Sequence, residues 1–210
     1  MRIREARAFD VTALVDLGRT TYTETFGDGY PPEDLAYYLD TAYSEEDFAR
    51  QIAEPSSGVW VLEDEELGGY ITCGDCKLPS DLVQPGDGEI KRIYVLQKYQ
   101  RGGWGAKLLE TALGWLIETG RRTIYLGVWS QNYAAQRLYE RYGFSHCDEY
   151  EFIVGEPTFL PETFPFAIAI TEASRSEISC STTSLSGPRA APRNSTSGLN
   201  LATYSESVSL

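Results

Sequence analysis

The sequence predicts an α/β fold in which a mixed sheet is flanked by helices, and three observations carry that expectation. Over residues 1–170 the apolar pattern switches repeatedly between the period of 2 of a strand and the 3.6 of a helix. The resulting order is β, α, α, α, β, β, β, α, β, α, β, β, with two strand–helix units in its second half. A chain of 210 residues with 42% apolar and 12% aromatic side chains can fill one core. Its longest apolar runs, such as 164–170, fall far short of the ~20 residues that cross a bilayer.

Each element has a local reason. A short strand near 2–5 precedes a helix that opens around Asp10 and keeps Leu14, Leu17 and Tyr22 on its apolar side. A second helical stretch follows Pro31 and Pro32, and Ser44-Glu45-Glu46-Asp47 resembles a capping box that starts a third, ending before Pro55. Segments 58–63 and 67–73 flank an acidic turn and read as a hairpin, with Glu63-Asp64-Glu65-Glu66 as its solvated tip; 89–95 is the next strand. Residues 103–119 place Leu108, Leu109, Ala112 and Leu116 on one helical face and stop at Gly120, which suits a helix C-cap. A strand at 123–128 leads to Asn132, an N-cap for a helix at 133–142 that Gly143 closes. Strands at 144–154 and 164–170 finish the sheet, Pro165 favouring an edge or a strand start.

From Thr171 the composition changes to 11 Ser and 5 Thr among the last 40 residues. The expected organisation is a folded domain over 1–170 and a disordered tail over 171–210. The tail's arginines (175, 189, 193) balance its glutamates (172, 177, 206), which leaves the whole net charge of −13 to the folded part. Nucleic acid is therefore not an expected partner, because a phosphate backbone needs a basic face. The start, Met1-Arg2-Ile3-Arg4-Glu5, carries no apolar secretory stretch. The expected location is the cytoplasm, with the cysteines as thiols.

The chemistry concentrates in 89–107, a strand and a short loop followed by glycines at a helix start. Helix starts carry unpaired N–H groups and partial positive charge, so they dock anions, and Gly102, Gly103 and Gly105 permit close approach. Between Lys91 and Lys107 lie five basic residues (Lys91, Arg92, Lys98, Arg101, Lys107) and no acidic one, a local reversal of sign that suits a phosphate. A dinucleotide-binding G-x-G-x-x-G would need glycine where Leu108 stands, and a Walker loop would need Gly-Lys-Ser/Thr, which is absent.

The pattern that fits is Gln100-x-x-Gly103-x-Gly105-Ala106, which resembles the acetyl-CoA signature of the GNAT N-acetyltransferase superfamily. Leu126-Gly-Val-Trp-Ser-Gln-Asn132, then Ala134, Ala135, Leu138, Tyr139 and Tyr142-Gly143-Phe144, resemble its second motif, and Glu24-Thr25-Phe26 is similar to the PaiA-like polyamine acetyltransferase branch. The resemblance covers roughly 2–155. It implies a mixed, mostly antiparallel central sheet with a splayed parallel strand pair, flanked by helices. It implies acetyl-CoA as acyl donor, no metal, and direct acetyl transfer to a primary amine. By the same resemblance, Gln100, Arg101, Gly102, Gly103, Trp104, Gly105 and Ala106 surround the pyrophosphate and Asn132 contacts the cofactor. The strand edge at Ile93, Tyr94 and Val95 pairs with the pantetheine amides, and an N–H near Val95 stabilises the oxyanion. Tyr139 meets the thioester sulfur, its other reading being a core tyrosine beside Leu138 and Tyr142. Glu89 stands where several family members carry a glutamate base, and its spacing of four from Ile93 places both on one strand face. Its other reading is a rim carboxylate satisfied by Lys91 or Arg92.

A small cationic amine, spermidine or spermine, is the expected acceptor. Glu24, Asp28, Glu33, Asp34 and Asp40 fall between the two helices that roof the acceptor site in proteins this one resembles, and the charge of −13 draws polycations. A rival of another class is an inactive acetyl-CoA-binding or interaction module, because the chain after Glu156 bears little likeness to the branch. Cys73-Gly-Asp-Cys76 with His146-Cys147 could form a Cys₃His zinc set, but one C-x-x-C is a weak signal and the resemblance needs no metal. The oligomeric state is left open.

Overall fold

The computed structural model describes residues 1–154 and 162–172. The elements follow the expected order: β1 (Arg2–Glu5), α1 (Val11–Phe26), α2 (Pro32–Ala42), α3 (Glu45–Ala53), β2 (Ser57–Glu63), β3 (Leu67–Asp75), β4 (Gly88–Val95), α4 (Trp104–Glu118), β5 (Thr123–Trp129), α5 (Tyr133–Arg141), β6 (Ser145–Val154) and β7 (Glu162–Glu172). One seven-stranded sheet has the order β1-β2-β3-β4-β5-β7-β6, and every neighbouring pair is antiparallel except β4 and β5. Among the described residues no helix is long and apolar enough to cross a membrane.

Helices cover both faces because the central strands are apolar on both. In β2, Trp60 and Leu62 join a core with Leu108 and Leu116 of α4, whereas Val59 and Val61 join Leu14, Tyr22 and Phe48 beneath α1 and α3. Local signals end the helices where the sequence places them. Ser44 Oγ accepts the Asp47 N–H at 3.2 Å and starts α3. Gly120 (φ +87°) and Gly143 (φ +81°) close α4 and α5 in the left-handed conformation that glycine adopts at little cost. The acidic hairpin tip is more than solvated charge: Glu63 pairs with Arg2 and Arg4 at 2.7 Å, Asp64 with the N-terminal ammonium at 3.3 Å, and Glu66 with Lys98. Arg4 also reaches Asp10 at 2.7 Å, which joins β1 to the start of α1.

β7 is an internal strand, and it runs two residues past the predicted boundary, with Thr171 buried. Its last pair with β5 is Phe166 with Trp129, so only β6 lies alongside Pro165 and the missing N–H breaks no bond to β5. The expectation for the tail beyond Glu172 lies outside the described residues.

β4 corrects the sequence reading. Cys73 opposes Ile90 while Thr72 opposes Arg92, so Lys91 is an extra residue on β4. This bulge inverts the alternation. Ile90, Ile93 and Val95 face α4, whereas Arg92 and Tyr94 face α1 to α3, as does Glu89, which lines a cavity with residues of α3. Glu89 and Ile93 therefore lie on opposite faces.

Candidate active site

β4 and β5 are paired only at Gly88 with Ile124, Glu89 with Tyr125 and Ile90 with Leu126, and then diverge. The Leu96 N–H donates to the Gly68 carbonyl at 2.9 Å. Bonded positions alternate along an antiparallel ladder. Arg92 and Tyr94 thus turn their backbone groups toward β3, while Ile93 and Val95 turn theirs into the opening. Tyr94 is fully buried, its ring stacked on Tyr70 at 5.8 Å, and its backbone serves β3. Gln100 Nε2 donates to the Val95 carbonyl at 2.9 Å and fixes the end of the strand.

The loop after β4 is built to present backbone. Tyr99 lies against Gly68, where a Cβ would come within 2.5 Å of the ring. Arg101 (φ +64°) is the one non-glycine residue of positive φ among the described residues, and Gly103 (φ +76°) follows. Backbone bent in this way forms a concave nest that suits an anion. No side chain caps α4, so its first-turn N–H groups are left for a ligand, and nothing lies within 4 Å of the position a Gly103 Cβ would take. The five basic residues do not act together. Lys98 pairs with Glu66, Arg92 is buried against Tyr43 on the other face, and Lys91 lines the α3 cavity. Arg101 and Lys107 remain beside the turn, with the Lys107 ammonium 4.2 Å from the Trp104 ring centroid.

α5 follows β5, the other wall of the opening. Asn132 Oδ1 accepts the Ala135 N–H at 3.1 Å, so the residue expected to contact the cofactor also caps its helix. Tyr139 is 1% exposed and meets Phe144 edge-on at 5.7 Å. Its hydroxyl has no hydrogen-bond partner among the described residues, and burial pushes its pKa well above the ordinary value. A buried orphan hydroxyl costs about 1–3 kcal/mol. An open strand edge, an uncapped helix start and an orphan hydroxyl fit the amide, pyrophosphate and sulfur portions of coenzyme A respectively.

Glu89 is fully buried rather than on a rim, and its Oε2 accepts the Lys77 N–H at 2.8 Å. Thr72, Lys77, Lys91, Arg92 and Asp47 join it around a cavity of about 230 Å³. The Arg92 guanidinium lies 4.7 Å from the Tyr43 ring centroid, donates to the Ala42 carbonyl at 2.9 Å and stands 3.7 Å from Asp47. Of the acidic residues expected in the roof, Glu24 accepts the Gln97 N–H at 3.0 Å and Asp40 pairs with Arg19 at 3.0 Å. Glu33 and Asp34 stand in the first turn of α2, and the Asp28 side chain lies outside what is described. The cysteines of the C-x-x-C divide between two clusters: Cys73 joins the α4 core, whereas Cys76, like Cys147, packs against Leu78 and Tyr125. Among the described residues no three His, Cys, Asp or Glu gather as a metal site.

Three rings at the opening are given no site role by the sequence, although Phe26 and Trp129 lie within the two motif segments. Phe26, from the end of α1, meets Trp129 at 5.8 Å, and the Tyr150 hydroxyl lies 2.7 Å from where a Gly127 Cβ would stand. Gly127 is itself a signal for Tyr150, since a glycine inside a strand marks close approach by another group.

Residues 14–144 match the Acetyltransferase (GNAT) family. An uncharacterized N-acetyltransferase in the pepI 3′ region of Lactobacillus delbrueckii subsp. lactis is 30% identical over 157 residues, 74% of this chain and 91% of its own length. The PaiA N-acetyltransferase of Thermoplasma acidophilum in complex with coenzyme A has a TM-score of 0.63 at 20% identity, over 81% of this chain and 98% of that one. YncA of Salmonella typhimurium with its cofactor acetyl-CoA gives 0.58 at 23%, over 90% and 98%. The matched residues take in the diverging strands, the glycine turn and α5, and the chain belongs to the GNAT family as an acetyl-CoA-dependent N-acetyltransferase.

Proposed function

We propose that this chain transfers acetyl from acetyl-CoA directly to the primary amine of a small cationic acceptor, spermidine or spermine first. The observation that carries this reading is the opening between β4 and β5, bordered by the Ile93 and Val95 backbone and followed by the uncapped start of α4. Acetyl-CoA supplies an activated thioester. Residues 100–106 hold its pyrophosphate through first-turn N–H groups, with Arg101 and Lys107 adding charge. Ile93 and Val95 pair with its arm as an added strand would, and one of these N–H groups donates to the acyl oxygen as negative charge develops. Tyr139 gives a hydrogen bond to the departing sulfur. No covalent intermediate on the enzyme is needed.

An alkyl ammonium has a pKa of ~10.4, so freeing its lone pair at pH 7 costs roughly 4–5 kcal/mol. Glu89 is the proposed proton acceptor. With Lys91 bulged out, Glu89 and Ile93 oppose Gly74 and Ile71, three strand residues at ~3.3 Å each or about 10 Å apart, so the proton reaches Glu89 through water. Glu89→Gln keeps an oxygen for the Lys77 N–H and loses only the proton affinity. The variant is expected to lower kcat/KM about 10- to 100-fold at pH 7 and to approach wild type as pH rises, because the amine then arrives deprotonated. Superimposable pH–rate profiles would remove Glu89 from the mechanism.

The cationic acceptor rests on the net charge of −13, on Glu33 and Asp34, which pair with no cation among the described residues, and on the resemblance of Glu24-Thr25-Phe26 to the PaiA-like branch. Purified protein with acetyl-CoA is to be offered spermidine, spermine, amino acids and peptides. Polyamines are expected to lead, and their KM to rise several-fold between ~0.05 and ~0.3 M salt while that of a neutral-side-chain amino acid stays nearly constant. Robust activity on another amine with none on polyamines rejects the acceptor class. Tight acetyl-CoA binding without transfer to any amine supports the inactive module instead.

A further inference from the structure

We infer that Glu24 is a positioning residue for the donor half of the site, tying α1 to the loop that receives the pyrophosphate. The inference rests on the placement of acetyl-CoA at residues 100–106. Glu24 lies in the last turn of α1, where its Oε2 accepts the Gln97 N–H at 3.0 Å and its main-chain carbonyl accepts Gln97 Nε2 at 3.3 Å. Two residues later, Phe26 meets Trp129 at the end of β5. One helical turn thus bridges the open ends of both diverging strands.

Gln97 is the first residue of the short turn that leaves β4, and the rest of the donor loop is anchored on that turn. The Tyr99 N–H donates to the Leu96 carbonyl at 2.8 Å, the Gln100 N–H to the Gln97 carbonyl at 3.2 Å, and Gln100 Nε2 back to Val95 at 2.9 Å. The entry of the loop is held by two backbone N–H groups, Leu96 on Gly68 and Gln97 on Glu24. The second bond is charge-assisted and so stronger than a neutral one. Gly102, Gly103 and Gly105 give the rest of the loop wide conformational freedom, so loosening its entry raises the ordering that cofactor binding must supply. This role differs from the acidic roof over the acceptor, because the carboxylate acts on backbone of the donor loop.

Gln97→Pro deletes the N–H that Glu24 accepts and leaves the backbone path intact. Leu96 is extended (φ −51°, ψ 139°), as a residue before proline prefers, and Gln97 opens a 3₁₀ turn, where its N–H is not part of the turn. Gln97→Ala controls for the lost side chain. Glu24→Ala is expected to raise the acetyl-CoA Kd and KM about five- to tenfold, as for one lost hydrogen bond. Glu24→Gln, which keeps an acceptor oxygen, restores most of the affinity. In the Gln97→Pro background, Glu24→Ala has no further effect. A loss confined to the KM of a cationic acceptor, a loss that persists undiminished beside Gln97→Pro, or a lowered Tm with unaltered acetyl-CoA affinity overturns the inference. Each of these leaves the effect of Gly103→Glu intact, whereas a misplaced acetyl-CoA site abolishes it.

Discussion

Gly103→Glu is expected to weaken acetyl-CoA binding by at least about a hundredfold in a protein that still folds. The backbone there has φ +76°, which costs an ordinary L residue about 1–2 kcal/mol, yet nothing lies within 4 Å of the new Cβ and no packed group is displaced. The added carboxylate stands at the uncapped start of α4, where the pyrophosphate is placed. Two like charges about 4–5 Å apart repel by roughly 3–4 kcal/mol at an effective dielectric near 20, which alone exceeds two orders of magnitude in Kd. Gly103→Asn separates the causes, since asparagine tolerates the left-handed conformation and carries no charge; it is expected to lose less than about tenfold. Calorimetric titration with acetyl-CoA, beside circular dichroism of both variants, checks this. A Gly103→Glu protein that binds as tightly as wild type moves the site elsewhere.

The features legible in the sequence are those coded within a few residues. Ser44 and Asn132 cap helices that begin beside them, and Gly120 and Gly143 end helices for a reason internal to one residue, the sign of φ. The glycine turn at the start of α4 belongs to the same class. The bulge at Lys91 does not. A bulge is a property of two paired strands, and nothing in Glu89-Ile90-Lys91-Arg92-Ile93 distinguishes an extra residue from an ordinary one until β3 is beside it. That one residue decides which face Glu89 occupies. The run of five basic residues is likewise a fact of the chain and not of the surface, because the strand sends Arg92 under the helices while Lys98 finds Glu66 across the hairpin.

The backbone chemistry of the opening is decided at the same level. Whether Ile93 and Val95 or Tyr94 present N–H groups to a ligand depends on the register fixed by Leu96 and Gly68. A shift of one residue would exchange their roles. Glu24 with Gln97, Phe26 with Trp129, and Tyr150 with Gly127 join segments far apart in the chain, so neither partner alone announces the contact. Only glycines leave a trace of such approaches, by omitting a side chain where another group must fit.

Tyr139→Phe is expected to lower kcat about 10- to 100-fold, to leave acetyl-CoA affinity within about twofold, and to leave Tm unchanged or slightly raised. The stability part follows from burial. The hydroxyl has no partner among the described residues, so its removal relieves a desolvation cost while the edge-on contact with Phe144 is kept. The rate part follows from charge. Sulfur becomes anionic only as the thioester breaks, so a hydrogen bond to it is worth more in the transition state than in the bound ground state and appears in kcat rather than in Kd. Full proton transfer is not the expected role. With reference values the phenol is already ~1.5 units weaker an acid than a thiol, and burial pushes the Tyr139 pKa higher still. The prediction therefore includes a pH arm. Across about pH 7 to 9, the ratio of wild-type to variant kcat should stay flat, because Tyr139 keeps its proton throughout, whereas a titrating general acid would make the ratio fall as pH rises. Single-turnover rates keep chemistry separate from product release. Unchanged single-turnover rates with a raised Tm would return Tyr139 to the core, where the contact with Phe144 is its whole role.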